Sequence, residues 1–188
     1  MTPPDRETIH AALARKGHVR FASPRGYDLN IVAVRAANPV PGQFDDWLSV
    51  SWRSGAHWQD LVFSVTTDPG PYYRDHPLHP AGAALLAAGQ DRASHHIARH
   101  KGRYEALCQR PGTALPVWRG GALHRDGTGL NIHRAAAAGT TSAVGRWSAG
   151  CIVLANADDF TVFMEVCRIA ARIWGNAFTV TLLEERDL

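Results

Sequence analysis

Two short stretches, Asn131-Ile132-His133-Arg134 and the run VGRWSAGCIVLAN (144–156), hold the residues on which the interpretation of this chain depends. Cys151, one of only three cysteines, lies between Gly150 and an apolar run, eighteen positions after His133. The cysteine is either buried in a core strand or is a thiol nucleophile that faces the histidine across a cleft. Spacing alone leaves both interpretations open.

The composition around these stretches is that of a folded chain. The 188 residues suffice for one domain, and 45% hydrophobic with 20% charged residues argues against disorder. We therefore predict a single domain over 1–188, with residues 1–26 as an N-terminal helix and lead-in and 27–188 as the main unit. The net charge is +3, only two of the twenty cations are lysines, and no dense basic block occurs, so no nucleic-acid partner is expected.

Targeting and cysteine patterns exclude several other classes. No apolar run approaches the ~18 residues of a membrane span, so we expect no membrane insertion. The N-terminal MTPPDRETIHAALARKG lacks the apolar core of a signal peptide, which predicts that the protein is cytoplasmic as synthesised. Cys108, Cys151 and Cys167 cannot all pair with one another, and none lies in a Cys-x-x-Cys. A disulfide scaffold or a cysteine-rich zinc site is therefore disfavoured.

The rest of the chain alternates short extended segments with turns. A helix is expected over 5–16, with its apolar residues on one face. Segment 83–90 fits a short strand or a turn of helix, and 136–145 is a small-residue loop. The predicted strands, separated by turn-forming runs such as NPVPG, RSGAH and TDPGP, are 27–35, 46–53, 60–67, 104–109, 114–120 and 129–135.

The clearest helix follows the cysteine. Asn156 can cap it, and Asp158 and Asp159 stand in its first turn, where the helix dipole favours negative charge. A glycine and an asparagine (175–176) end it, and a last strand begins at Phe178. Its apolar stripe comprises Phe160, Phe163, Met164, Cys167, Ala171 and Trp174. The pattern predicts a mostly β, α+β fold with a C-terminal helix packed on the sheet and a short N-terminal helix.

A nucleophilic cysteine needs chemical assistance that this sequence can supply. A free thiol has a pKa near ~8.5 and is only slightly ionised at neutral pH. His133 within hydrogen-bond reach would either take the proton or hold the thiolate as an imidazolium partner. Gly150 allows a turn that directs the amide of Cys151 and its neighbours at one point, as an oxyanion hole requires. The other two thiols, Cys108 and Cys167, are expected in the core.

Taken together, GLNIHRA (129–135), VGRWSAGC (144–151) and the helix start DDF resemble the L,D-transpeptidase catalytic domain, the YkuD-like family. The family signature is a histidine, a spacer and then Ser/Thr-x-Gly-Cys. The upstream strings YDLNIVAVR, FDDWLSV, TTDPGPYY and HKGRYEAL are similar to a branch common in phage and bacterial genomes, so the resemblance begins at residue 27. It implies a YkuD-like β-sandwich or barrel. It also implies Cys151 as the acyl-accepting nucleophile, His133 as its base, and Ser148 and Gly150 lining the nucleophile turn.

Two departures from the family pattern concern substrate anchoring. Many members have a histidine before the glycine and an arginine or asparagine two positions after the cysteine, where this chain has Ala149 and Val153. The anchor then passes to Arg134 or Arg146, each of which either clamps a carboxylate or is a solvated surface residue. Further candidate substrate contacts are Trp147, His100 and Tyr104.

Other titratable residues have plainer interpretations. His96 and His100 are four apart, which makes a metal pair only on a helix, and neither a third ligand nor an adjacent glutamate follows. We therefore expect no metal and no other cofactor. Asp126 is able to orient His133, although Asp-Gly more simply indicates a turn and a backbone carbonyl serves the same purpose.

These inferences predict cysteine-dependent acyl transfer, and the resemblance implies peptidoglycan stem peptides as the substrate. As the resemblance implies, the thioester on Cys151 passes to an amine (L,D-transpeptidase) or to water (L,D-carboxypeptidase or endopeptidase). Action on the cell wall would follow lysis, phage delivery or specialised secretion. Two rivals stay open: a different Cys–His hydrolase fold, in which the cysteine normally starts a helix and precedes its histidine, and a catalytically silent wall-binding module on the same scaffold. The oligomeric state also stays open.

Overall fold

The computed structural model describes residues 2–188. Strands account for 39% of the chain and helices for 19%, so the fold is mostly β, as predicted. No helix within the described residues is long and apolar enough to cross a membrane. The helices are α1 (Arg6–Arg15), α2 (Pro71–Asp75) and α3 (Ala157–Trp174), with a 3-10 turn at Glu185–Asp187. The strands are β1 (Asn30–Arg35), β2 (Asp46–Ser54), β3 (His57–Thr66), β4 (Leu85–Leu86), β5 (Gly89–His100), β6 (Tyr104–Gln109), β7 (Leu115–Arg119), β8 (Ala122–Gly127), β9 (Ile132–Arg134), β10 (Ile152–Leu154) and β11 (Phe178–Glu184).

Eight of these strands pair into a closed barrel in the order β1-β11-β5-β6-β9-β10-β3-β2. Most neighbours are antiparallel, but β1 pairs in parallel with β11, and β9 pairs in parallel with β10. Closure pairs the edge strands with each other, which removes exposed barrel edges. The remaining strands, β4, β7 and β8, form a separate three-stranded sheet.

Strand β1 is buried on both faces, which explains its nearly uninterrupted apolar sequence. Ile31 and Ala33 belong to the main core, while Val32 and Val34 pack against α1 on the outer side. The predicted apolar face of α1 forms the other half of that contact. The short N-terminal helix is therefore fixed to the barrel wall.

Helix α3 begins where the sequence predicts. The Asn156 side chain accepts hydrogen bonds from the backbone amides of Asp158 at 2.7 Å and Asp159 at 3.0 Å. The apolar stripe packs into the main core, where Phe163 is fully buried. Trp174 differs from the expectation, because it is 42% exposed and donates its indole N–H to a backbone carbonyl.

Three segments depart from the sequence-based expectation. Segment 89–100 is the long strand β5, so a helical register for His96 and His100 is wrong. Asp126 lies within β8 rather than in a turn. Helix α2 follows β3, where only a turn was expected. The sequence of β5 lacks apolar alternation because the strand is held by pairing on both sides and contains a bulge, where Ala93 has a φ of 50°.

Candidate active site

The parallel pairing of β9 with β10 brings the predicted cysteine and histidine to the same cleft. Val153 is opposite His133 in this pair, and Cys151 lies two residues before Val153. His133 and Cys151 both line a cavity of about 480 Å³, although only 4% of His133 and 9% of Cys151 is exposed. The segment between the two strands therefore returns the cysteine to the side of the histidine.

Ser148 braces the turn that presents Cys151. Its hydroxyl donates to the carbonyl oxygen of Cys151 at 2.8 Å and accepts from the amide of Gly150 at 3.1 Å. Its own carbonyl accepts from the amide of Gly70 at 2.9 Å, which ties the turn to the segment after β3. Ser148 is fully buried and does not line the cavity, so it holds the turn in shape.

The turn requires a glycine at position 150. Gly150 has a φ of 130°, where a residue with a side chain is strained. A Cβ at this position would also lie 2.4 Å from the carbonyl oxygen of Ala84. Residue 84 directly precedes β4, so the small sheet packs against the nucleophile turn through this contact.

Cys151 is held as a neutral thiol. Its Sγ donates to the carbonyl oxygen of Gly129 at 3.3 Å and accepts from the amide of Asn131 at 3.4 Å. Burial raises the pKa of the Cys151 thiol, and the hydrogen bond from Asn131 and the charge of Lys101 oppose this effect. The thiol therefore keeps its proton at neutral pH.

His133 is held as a neutral base. Its Nδ1 lies 2.8 Å from the carbonyl oxygen of Arg134, an obligate acceptor, so Nδ1 carries the proton and Nε2 the lone pair. Burial lowers the pKa of His133 to about 4, although the hydrogen bond to Arg134 opposes this shift. Nε2 has no hydrogen-bond partner within residues 2–188 and is not fully buried, so it faces the cavity that the ring lines. A backbone carbonyl, and not Asp126, therefore orients the ring.

These two states decide between the two forms of assistance that the sequence left open. At neutral pH the thiol of Cys151 is uncharged because its pKa is raised. The ring of His133 is uncharged because its pKa is about 4. The arrangement favours proton transfer during attack over a standing thiolate–imidazolium pair.

His100 and Tyr104, predicted as substrate contacts, lie beside the base. The rings of His100 and His133 are stacked, with centres 4.3 Å apart and planes inclined by 25°. The hydroxyl of Tyr104 donates to the carbonyl oxygen of Arg134 at 3.4 Å. His100 borders the first cavity and, with Tyr104, a second one of about 450 Å³. The two cavities share His100, Lys101, His133, Arg146 and Trp147.

The cleft has a positively charged wall. Among residues 2–188, no aspartate or glutamate lines either cavity. A wall of one sign raises the local concentration of oppositely charged groups, so the cleft favours anionic ligands. The cations in the two walls are Lys101, Arg103, Arg119, Arg134 and Arg146.

The two arginines singled out in the sequence both border the cleft and both stack on tyrosines. The Cζ of Arg134 is 4.4 Å from the ring centre of Tyr104, and that of Arg146 is 3.8 Å from the ring centre of Tyr72. Neither arginine has a carboxylate partner in the described part of the chain. Nη1 of Arg134 donates to the carbonyl oxygen of Ala137 at 3.4 Å, and its remaining N–H groups can bind a ligand. Trp147, 45% exposed, borders both cavities.

Arg119 is a cleft residue that sequence reasoning missed. Its side chain is only 11% exposed, and its Nη1 donates to the carbonyl oxygen of Gly82 at 3.3 Å. Its Nε is buried without a hydrogen-bond partner, and Asp126 comes only to 3.9 Å. Because Arg119 lines the cavity and carries a positive charge, it is a candidate anion contact, although its buried Nε cannot itself meet a ligand. The available signal was a single arginine in the otherwise apolar strand ALPVWRG.

No family model, no curated protein and no solved structure matches the chain significantly. Within residues 2–188, no group of three or more His, Cys, Asp or Glu side chains is placed to hold a metal ion. The chemistry available at the site is that of a thiol and an imidazole, both neutral, in a cleft that favours anions.

Proposed function

We propose that the protein is a cysteine-dependent acyltransferase or hydrolase of L,D-transpeptidase type that acts on peptidoglycan stem peptides. The observation that carries the proposal is that the Cys151 thiol and the neutral His133 imidazole line one cavity, beside a turn braced by Ser148. The resemblance in sequence supplies the substrate class. The cations of the cleft wall fit the carboxylates of such peptides.

In the first half-reaction, Sγ of Cys151 attacks the amide carbonyl carbon while its proton passes to Nε2 of His133. A C–S bond forms, the C–N bond breaks, and the leaving nitrogen takes that proton and departs as an amine. The product is a thioester on Cys151. An amine or a water molecule, deprotonated by the same imidazole, then takes the acyl group and the thiol is restored.

The resting hydrogen bonds of the thiol have to change before attack. The S–H group donates to the carbonyl oxygen of Gly129, and this bond must be exchanged for one to His133. Catalytic hydrogen bonds of this kind often form only when substrate binds. The amide of Cys151 has no hydrogen-bond partner in the described chain and is available to the oxyanion.

Transfer to water and transfer to an amine are both compatible with this site. The second cavity adjoins the first through a shared wall and offers room for an acceptor strand. The protein would reach the wall through lysis, phage delivery or specialised secretion. With water as acceptor, the role is wall degradation rather than cross-linking.

Mass spectrometry of defined muropeptides tests the proposal. The wild type, Cys151→Ala and the control Cys108→Ala are incubated with donor peptides, because Cys108 is a second thiol that does not line the cavity. Products are expected from the wild type and the control, and none from Cys151→Ala. The product masses identify the bond and distinguish cross-linking from hydrolysis. Unreacted peptides with all three proteins would retire the enzyme proposal.

A catalytically silent wall-binding module is the second candidate, and one observation favours it. The Cys151 thiol is largely buried, has a raised pKa and is bonded to Gly129 rather than to His133. Iodoacetamide labelling at neutral pH separates the two candidates. Fast labelling of Cys151 that His133→Ala slows supports the enzyme, whereas equally slow labelling of all three cysteines supports the module.

A further inference from the structure

We infer that His100 is a second functional imidazole, whose Nε2–H group donates a hydrogen bond to the reacting carbonyl oxygen and completes an oxyanion hole with the amide of Cys151. The inference rests on the proposed acyl transfer and assigns a new role within the same cleft. It follows from the hydrogen bonds around His100, which determine where the ring carries its proton.

The hydrogen bonds of the Asn131 side chain fix its orientation. Its Oδ1 accepts from the backbone amide of Gln109 at 2.8 Å, and a backbone N–H has no other role than donor. The amide nitrogen of Asn131 must then face His100, at 3.1 Å from Nδ1. That nitrogen only donates, so Nδ1 of His100 is the acceptor. The proton of the neutral ring therefore lies on Nε2.

His133 carries its proton on the other ring nitrogen. The carbonyl of Arg134 places the proton of His133 on Nδ1, which leaves Nε2 as an acceptor. The two stacked rings, 4.3 Å apart, are thus opposite tautomers. One presents a lone pair to the cleft and the other an N–H group. Acyl transfer needs both: a base for the thiol proton and a donor for the oxyanion.

Nε2 of His100 is accessible to a ligand. It has no hydrogen-bond partner within residues 2–188 and is not fully buried. It therefore faces open space, and the spaces that His100 borders are the two cavities of the cleft. Cys151 lines one of these cavities together with His100, so a substrate bound there can contact both side chains.

The amides of the turn at Cys151 are not all free to bind an oxyanion. The amide of Gly150, which would otherwise join that of Cys151, already donates to Ser148. An oxyanion hole needs more than one donor, and side chains including histidine supply such donors in other enzymes. Burial and the neighbouring charge of Lys101 lower the pKa of His100, so its ring is neutral at working pH. A neutral imidazole is an established donor to a reacting carbonyl.

Two variants test the assignment against a structural role. His100→Phe keeps an aromatic ring against His133 but removes the N–H group, and we expect kcat for acyl transfer to fall about 10²-fold with little change in KM. His100→Gln restores an N–H donor and is expected to recover part of that loss. Alkylation of Cys151 by iodoacetamide has no oxyanion, so its rate should be the same in both variants and the wild type. A matching loss in alkylation would assign His100 a structural role instead.

Nitrogen-15 NMR of the histidine rings provides a readout that does not depend on turnover. The expected result is protonation of Nε2 in His100 and of Nδ1 in His133. A proton on Nδ1 of His100, or full acyl-transfer activity in His100→Phe, overturns this inference and leaves the proposed function intact. A wild type that turns over no donor peptide while Cys151 stays intact removes the proposed function, and the inference with it.

Discussion

His133 donates from Nδ1 to the carbonyl oxygen of Arg134 across 2.8 Å, and this contact sets the chemistry of the cleft. It leaves Nε2 as the only basic atom of the ring. Burial keeps the pKa of His133 at about 4, while the pKa of Cys151 is raised. The imidazole is therefore neutral and able to accept a proton well below neutral pH, and the thiol keeps its proton at neutral pH.

The first prediction concerns the pH dependence of Cys151 alkylation. The rate should rise through an acid limb near pH 4, where His133 loses its proton, and then stay level across neutral pH. A second rise follows only where the thiol itself ionises. His133→Ala should remove the level region and leave a rate that follows thiol ionisation alone. Peptide mapping by mass spectrometry at each pH measures the rate at Cys151 separately from the other thiols.

Asp126→Asn is the matched control for this profile. Because the carbonyl of Arg134 orients His133, the variant should leave both the acid limb and the level region unchanged. A wild-type limb near the ordinary histidine pKa of 6.5 would show that burial does not act on the ring as described. A lost plateau in Asp126→Asn would assign the orienting role to the carboxylate after all.

The second prediction concerns Gly150. Substitution by alanine places a Cβ 2.4 Å from the Ala84 carbonyl oxygen at a φ of 130°, so both strain and a backbone clash result. We expect the free energy of unfolding to fall by about 2–3 kcal/mol, together with loss of acyl transfer. Gly139→Ala is the control, since it has a φ of 68° but open space around it. It should cost about 1 kcal/mol in urea titrations. Equal losses in the two variants would mean that the contact with Ala84 relaxes freely.

Local sequence signals predicted the parts of the fold that depend on local physics. Strand β6 has the predicted bounds, because a short run with apolar residues is flanked on both sides by turn-forming residues. The start of α3 was predictable because the capping hydrogen bonds of Asn156 reach only Asp158 and Asp159, within the next three residues. That His133 and Cys151 line one cavity was expected only from the resemblance of their two short segments to a family motif, not from their spacing.

The remainder depends on pairings between distant residues. Strand β11 lies between β1 and β5, so 178–184 pairs with one segment near the other end of the chain and with one in its middle. No local pattern encodes that choice of partners. Arg119 reaches the cleft only because β7 pairs with β4 in the small sheet. The tautomer of His100 depends on Gln109 acting through Asn131, and such a relay is visible only in three dimensions.

The third prediction concerns the charge of the cleft. Lys101 lowers the pKa of both Cys151 and His133, so its charge is felt at the reacting atoms. Iodoacetate should therefore alkylate Cys151 faster, relative to iodoacetamide, than it alkylates a free thiol. Lys101→Gln should reduce this ratio by about threefold to tenfold, and high salt should reduce it in the wild type. Lys16→Gln is the control, since Lys16 pairs with Asp187 away from the cleft. A ratio that neither salt nor Lys101→Gln changes would contradict a cationic cleft.

The last prediction concerns stability in acid. His95 is buried, with Nε2 bonded to the carbonyl oxygen of Leu130 at 2.9 Å, and burial lowers its pKa to about 4. Between pH 6.5 and 4, His95 is protonated in the unfolded chain but stays neutral in the folded protein. The free energy of unfolding therefore falls as the pH is lowered through this window, by about 1.4 kcal/mol per pH unit for each such histidine. His10 and His133 contribute in the same direction, since burial lowers the pKa of each to about 4.

His95→Gln removes one of these titrations. The slope of the free energy of unfolding against pH, measured by urea titration between pH 4.5 and 6, should decrease by the equivalent of about one proton relative to the wild type. His57→Gln is the matched control, because it makes the same substitution at an exposed histidine of β3. If the slopes of the wild type and His95→Gln coincide, folded His95 takes up its proton as readily as the unfolded chain does. The ring would then have to reach water, or a new partner, without the barrel opening.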